Sequence, residues 1–230
     1  MSLFKPYQFS AKEEIERRAN DILMLMQTEN FPPRWPLDAG RAADALGILV
    51  DRDSIPPDDK GSIVAKIIPF KRKIVLNEDI SDLSGGFEQS TIAHEIGHWV
   101  LHINQDEADE LVEQLELGLG LEEATKLFLC RSAGEKIYQS LIKSQLDKIE
   151  WQAQYFASCL LMPRYILEEK RKGRDLTKWP HLYAMRDELG VTISNLTNRL
   201  QDQGLIYIPK GSRQIYPGNA APNGQKSLFR

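Results

Sequence analysis

Residues 91–102 read TIAHEIGHWVLH, and this stretch constrains the chain more than any other. An α-helix advances about 100° and ~1.5 Å per residue, so His94 and His98 lie one turn apart on one face. Their imidazoles can converge on one cation about 2.1 Å from each nitrogen, the usual distance for zinc. Glu95 falls within about 100° of both on the helical wheel, so it can face a metal without binding it and accept a proton from water. Ile92, Ile96, Trp99, Val100 and Ile103 occupy the opposite face. That segregation predicts a helix with one side in a core and the other turned to a cleft. HExxH is short enough to occur by chance, and the bland alternative is a pair of surface or capped histidines.

His102 extends the row by a further turn, but ~12 Å of helix separates it from His94, too far for both to bind one ion. The spacing also falls short of the longer metzincin pattern. His102 is therefore read as structural or as a support behind a ligand.

A catalytic zinc site generally takes three protein ligands and leaves one position open. The candidate source of the third is KIEWQAQYFASCLLMP, apolar nearly all round and so predicted to be buried. Glu150 stands where the apolar stretch begins, and a carboxylate there needs a partner that a divalent cation can supply. Ala153 and Ala157 leave room for a close neighbour, and Gln154, one turn on, can hydrogen-bond a ligand histidine from outside. The competing reading makes Glu150 an N-terminal helix charge favoured by the macrodipole. Asp147 and Glu135 are the alternative carboxylates.

Such a site needs a core to hold it. With 230 residues, 42% hydrophobic and 27% charged, the chain has enough for one large domain with a small appendage. No apolar run approaches the ~18 residues of a membrane span, and MSLFKPYQFSAKEE lacks the apolar core of a signal peptide. Cys130 and Cys159 form no CxxC, which suits a reducing compartment, so a cytoplasmic protein with no membrane partner is expected. Cys159 reads as core; a metal or redox role for Cys130 stays open.

Along the chain, Ser10 with Glu13 suggests a capping box opening a helix, and Asp38 caps a second that Gly47 stops. Ile48 to Val50 reads as a strand, and GSIVAKIIP with KIVLN as a hairpin. Helices are expected over about 88–101 and 146–161, the latter stopped at Met162-Pro163. Residues 105–126 are strongly acidic and read as an amphipathic surface helix with a solvated face. Two helices flank LGVT, followed by the strand-like LIYIP. The division predicted is a domain over 1–173, a helix-turn-helix-like subdomain over 174–210 and a flexible tail over 211–230.

Taken together, HEIGHWVLH and IEWQAQYFASCLLMP resemble the ImmA/IrrE family of HExxH zinc metallopeptidases. The likeness runs from the early helix through PLDAGRAADALGILV and KIVLN to the LGVT…RLQDQGLI segment, most of the chain. The resemblance implies His94, His98 and Glu150 as Zn2+ ligands and Glu95 as general base, a gluzincin-like set. The family usually has Asp or Asn where this chain has Gln154. The implied fold is α+β and zincin-like: a small twisted sheet, the HExxH helix, the Glu-bearing helix, and a C-terminal helix-turn-helix-like subdomain.

The implied function is regulatory endopeptidase activity, with a helix-turn-helix repressor or similar protein cleaved or inactivated. A strand of the hairpin is expected to hold substrate along the cleft by β-augmentation. His181 and Tyr183 are candidates for stabilising the oxyanion, against a local packing or capping role. The rival is a regulator that binds DNA, or binds a repressor without cutting it. Thr192 as a cap, with Ser194, Asn195, Asn198 and Arg199 facing a groove, would suit DNA. Yet residues 178–213 carry five basic and three acidic side chains, a net of +2, which predicts weak phosphate neutralisation.

Overall fold

The KIVLN segment explains the sheet. In the computed structural model, which describes residues 5, 8–29, 31–58, 61–79, 85–109, 128–131 and 142–219, it becomes the central strand pair's inner member. Strand β1 spans Leu49–Asp53, β2 Ile63–Ile68 and β3 Lys73–Asn77, and β4 covers Phe128–Arg131. Their order is β1-β3-β2-β4, with β1 parallel to β3 and both β2 pairings antiparallel. β2 and β3 are buried on both faces, which is why both read as near-continuous apolar runs. The hairpin turns through a 3-10 segment at Pro69–Lys71 and Arg72, whose φ of 44° places it in the left-handed region.

At the end of β3, Asn77 is buried with every polar atom engaged. Its amide donates to the carbonyls of Ile55 (2.9 Å) and Ile63 (2.7 Å), and its oxygen accepts from the Ile55 and Asp79 main chain. This bond set satisfies the polar groups where the sheet meets its loops.

Helix α1 spans Lys12–Thr28 and α2 Ala39–Ala45. α1 starts on Ala11 with no side-chain cap, so the expected Ser10–Glu13 box does not form. Asp38 does cap α2, accepting from the amides of Gly40 and Arg41, and Gly47 follows with φ 67°. Helix α3 spans Gly85–His102 and carries the HExxH row; it packs on β2, β3 and β4 from one side of the sheet. Residues 105–109 are helical, and the rest of the acidic stretch lies outside the described residues.

Helix α4, Ile142–Leu161, is α3's main neighbour. The two approach closely at Gly97. A Cβ there would meet the Ala153 carbonyl oxygen at 2.9 Å and its Cα at 3.0 Å, so glycine is what this crossing requires. After Met162-Pro163 the chain continues in α5 (Arg164–Lys170), α6 (Trp179–Leu189) and α7 (Ile193–Asp202). Gly190 closes α6 in the left-handed region and Thr192 caps α7 by accepting from Asn195 N–H.

The C-terminal helices join the main core. Leu182, Met185, Leu196 and Leu200 are buried in the same cluster as Ile15, Ile96 and Phe156. Each such side chain contributes roughly 1.5–3 kcal/mol. Strand β5 (Ile206–Tyr207) pairs with β6 (Tyr216–Pro217). Residues 211–219, expected to be part of a flexible tail, are thus held: Ile215 is buried and the Trp179 indole donates to the Arg213 carbonyl at 2.8 Å. An isolated isoleucine in a Gly/Pro-rich stretch gives little sequence signal of that anchorage. Among the described residues no helix is long and apolar enough to cross a membrane.

Candidate metal centre

α3 delivers His94 and His98 one turn apart, as the spacing requires, and α4 brings Glu150 across to them. His94 Nε2 lies 3.0 Å from His98 Nε2 and 3.1 Å from Glu150 Oε2, and His98 Nε2 lies 3.5 Å from Glu150 Oε1. Two donors about 2.05 Å from a tetrahedral centre stand about 3.3 Å apart, so these three edges suit one ion. Both histidines are buried while the Glu150 side chain is half-exposed, which leaves the cluster an open side. The three residues could hold a metal ion.

Glu150 is the ninth residue of α4, beyond the first turn where the macrodipole acts, so the N-terminal-charge alternative loses its basis. Asp147 is exposed a turn earlier on α4. Glu135 lies outside the described residues, as does the side chain of Cys130. Cys159 is buried, and burial pushes its thiol up to about 12, as suits a core cysteine.

Glu95 is fully buried, and among the described residues neither of its oxygens has a hydrogen-bond partner. Burial, reinforced by the charge on Glu150, holds its carboxyl well above the usual range. Glu150 goes the other way. Burial would raise it, but the hydrogen bond from His94 and the neighbouring His98 imidazole outweigh that and hold it well below. Two neighbouring carboxyls driven apart in this way can divide the roles of anionic ligand and proton carrier. An unpartnered buried carboxylate beside three convergent donors is the pattern expected where an ion and its water are to be received.

His98 is further supported from behind. Its Nδ1 lies 3.2 Å from His102 Nδ1, and His102 Nε2 lies 2.9 Å from Gln152 Oε1. Burial lowers His98 to about 4 and lowers His102 as well, which favours the neutral form of both rings. His94 Nδ1, by contrast, is buried with no hydrogen-bond partner among the described residues.

Gln154, expected from the sequence to give such a support, does not: Gln152 does. The side of α4 that meets α3 carries Gln152, Ala153 and Phe156, all buried, whereas Gln154 is exposed. Glu150 sits at the edge of that interface. One turn further along the same edge, Gln154 has rolled out beside Trp151, Tyr155, Asn195 and Asn198 in a groove between α4 and α7.

His181 and Tyr183 are engaged locally. The His181 Nδ1 accepts from Asp175 N–H at 2.8 Å, and Tyr183 lies against Trp179 and Arg186. Neither is brought forward as an oxyanion group.

Part of the row expected in the rival reading to face DNA is engaged within the fold. Arg199 is fully buried: it donates to Glu16 (2.7 Å), the Met162 carbonyl (3.2 Å) and the Tyr155 hydroxyl (3.3 Å). The Asn195 amide donates to Ser90 Oγ at 2.6 Å, joining α7 to α3. Only Ser194 and Asn198 of that row are exposed. Asn195 and Arg199 thus serve to dock α7.

The hairpin edge expected to hold substrate is likewise taken, since β3 lies between β1 and β2, and β2 between β3 and β4. Among the described residues the sheet's edges are β1 and β4, and of these β4 packs on α3.

Fold and site together define a mixed α+β protein with a His-His-Glu centre able to hold a metal ion. No family model and no curated protein matches the chain. Among solved structures, a Mycobacterium tuberculosis transcriptional regulator matches with a TM-score of 0.45 and 17% identity, over 83% of this chain and 51% of that one. This chain thus spans about half the length of that protein. The likeness is too slight to carry a function.

Proposed function

We propose that the protein is a zinc-dependent endopeptidase of zincin-like architecture, acting on a protein substrate. The observation that carries this is the convergence of His94, His98 and Glu150 within 4.8 Å of one another, with Glu95 buried and unpartnered among the described residues next to His94. His and carboxylate donors in this number suit zinc. Such an ion supplies Lewis acidity, polarising a peptide carbonyl and lowering the pKa of water. Glu95 takes the proton from the attacking water on a carboxylate oxygen and returns it to the departing amide nitrogen. Its buried setting keeps bulk water from competing for that proton. Glu150 would hold the ion from α4, and its exposed side leaves the approach for substrate. β4, one of the two sheet edges among the described residues and packed on α3, offers a place for an extended substrate to add by main-chain hydrogen bonds.

The resemblance to the ImmA/IrrE family directs the substrate proposal to helix-turn-helix repressors, and the role to regulation. The buried Arg199 and the Asn195–Ser90 bond weigh against the DNA-binding alternative.

The test is cleavage of a proteome-derived peptide library and of purified helix-turn-helix repressors by the zinc-loaded chain, read as new termini by mass spectrometry. New termini that vanish with chelator, with His94→Ala and with Glu95→Gln are expected. A repressor held by Glu95→Gln but never shortened by wild type would instead make the protein a binding module.

A further inference from the structure

The bonds behind His98 continue past His102 to the main chain. The Gln152 side-chain amide donates to the Gln8 carbonyl at 3.2 Å, while its oxygen lies 2.9 Å from His102 Nε2. A main-chain carbonyl accepts and never donates, so Gln8 fixes which end of the Gln152 amide faces it. The Gln152 oxygen is then turned to His102, and it too can only accept. His102 therefore carries its proton on Nε2, and in the neutral ring Nδ1 is a lone pair. That lone pair faces His98 Nδ1 at 3.2 Å, which makes His98 the donor there. His98 Nε2 is left as the lone pair, directed at His94 and Glu150.

The direction of the whole row thus follows from one carbonyl in the segment that precedes α1. The same segment grips the C-terminal end of α3: Lys5 N–H donates to the His102 carbonyl at 2.9 Å. Gln152 and His102 are both buried, so water competes little for these bonds.

We propose that Gln152, oriented by the Gln8 carbonyl, is a positioning residue that selects the Nδ1–H tautomer of His98 and so readies its Nε2 to bind a divalent cation. The proposal rests on the metal-centre reading for its consequence, while the tautomer itself belongs to the protein with or without an ion. Gln152 holds the state of a ligand from two side chains away, and it ties ligand readiness to docking of the N-terminal segment. Groups that support a ligand histidine in this way change metal affinity by about 10–100-fold when removed.

The experiment uses the full chain, zinc(II) as the probe, and two substitutions. Gln152→Met removes both bonds at similar volume; Gln152→Glu keeps an acceptor for His102 Nε2–H while losing the donor to Gln8. Zinc affinity is measured by competition with a chromophoric chelator, and imidazole tautomers by 15N NMR of metal-free protein. Wild type should show His98 as Nδ1–H and His102 as Nε2–H. Gln152→Met should bind zinc about 10–100-fold more weakly and populate the other His98 tautomer, while Gln152→Glu should keep the tautomer and fall within about threefold of wild type.

An Nε2–H tautomer of His98 in wild type would overturn the proposal whatever the variants do. So would unchanged zinc affinity and tautomer in Gln152→Met. If wild type binds no zinc, the metal-centre reading fails, and the wild-type tautomers decide the selection step on their own.

Discussion

Two buried glutamates, on two helices that both pack against α4, are treated in opposite ways. Glu16 of α1 has an arginine on each oxygen: Arg199 on Oε1 at 2.7 Å and Arg164 on Oε2 at 2.8 Å. Glu95 of α3 has no hydrogen-bond partner on either oxygen among the described residues, although it is the more deeply buried. A buried charge whose partners are supplied can belong to the fold, tying α1 to α7. One left without partners works against folding, and its place beside a ligand cluster is what makes the cost intelligible. The difference teaches which buried carboxylate holds the structure together and which is kept available for chemistry.

The sharpest way to break the comparison is Glu95→Gln. Removing a general base of this kind should lower cleavage by about 10²–10⁴-fold. The melting temperature of the metal-free protein should not fall, because the substitution takes away a buried carboxyl that nothing in the described fold rewards. A large loss of stability, measured by calorimetry, would make Glu95 a structural residue and erase the contrast.

Arg199→Met tests the other side. It leaves Glu16 buried with its inner partner gone and should cost about 3–5 kcal/mol in denaturant titrations. Pairing it with Glu16→Met should restore much of that stability, since an apolar pair of similar volume replaces the ion pair. Zinc affinity of the folded fraction should stay at the wild-type value, and a loss there would join the two regions that the comparison separates.

Smaller effects sharpen it further. Gly97→Ala sets a methyl against the Ala153 main chain and should cost about 1–3 kcal/mol. Because α3 and α4 each carry ligands, zinc affinity should fall with it; unchanged affinity would show that the site tolerates movement of its helices. Thr192→Ala removes the cap of α7 and should cost about 1 kcal/mol by thermal melting with no change in zinc binding.

Much of the centre was legible because its geometry is local. The one-turn spacing of His94 and His98 depends only on helical periodicity, and the hairpin and the Asp38 and Thr192 caps on short-range patterns. Gln154 is not the supporting amide; a helical wheel centred on Glu150 does not say which way the neighbouring axis lies. α3 meets α4 on the Gln152–Ala153–Phe156 side, so the supporting amide is two residues after Glu150 rather than four. Arg199 looked like a phosphate contact because its counter-charge stands 183 residues away, beyond any local pattern. The held segment at 211–219 also depends on a distant contact, through Trp179.

The Glu16–Arg199 bond also sets an order in time. Of the three side chains Glu16 is synthesised first, while Arg164 follows 148 residues later and Arg199 183 residues later. At a ribosomal pace of about 5–20 residues per second, roughly 10–40 s pass before the inner arginine exists. Through that interval α1 carries an anion on its core-facing side, which resists premature burial. His94, His98 and Glu150 are all synthesised within it, so the three ligands are made before the clasp that closes the core can form.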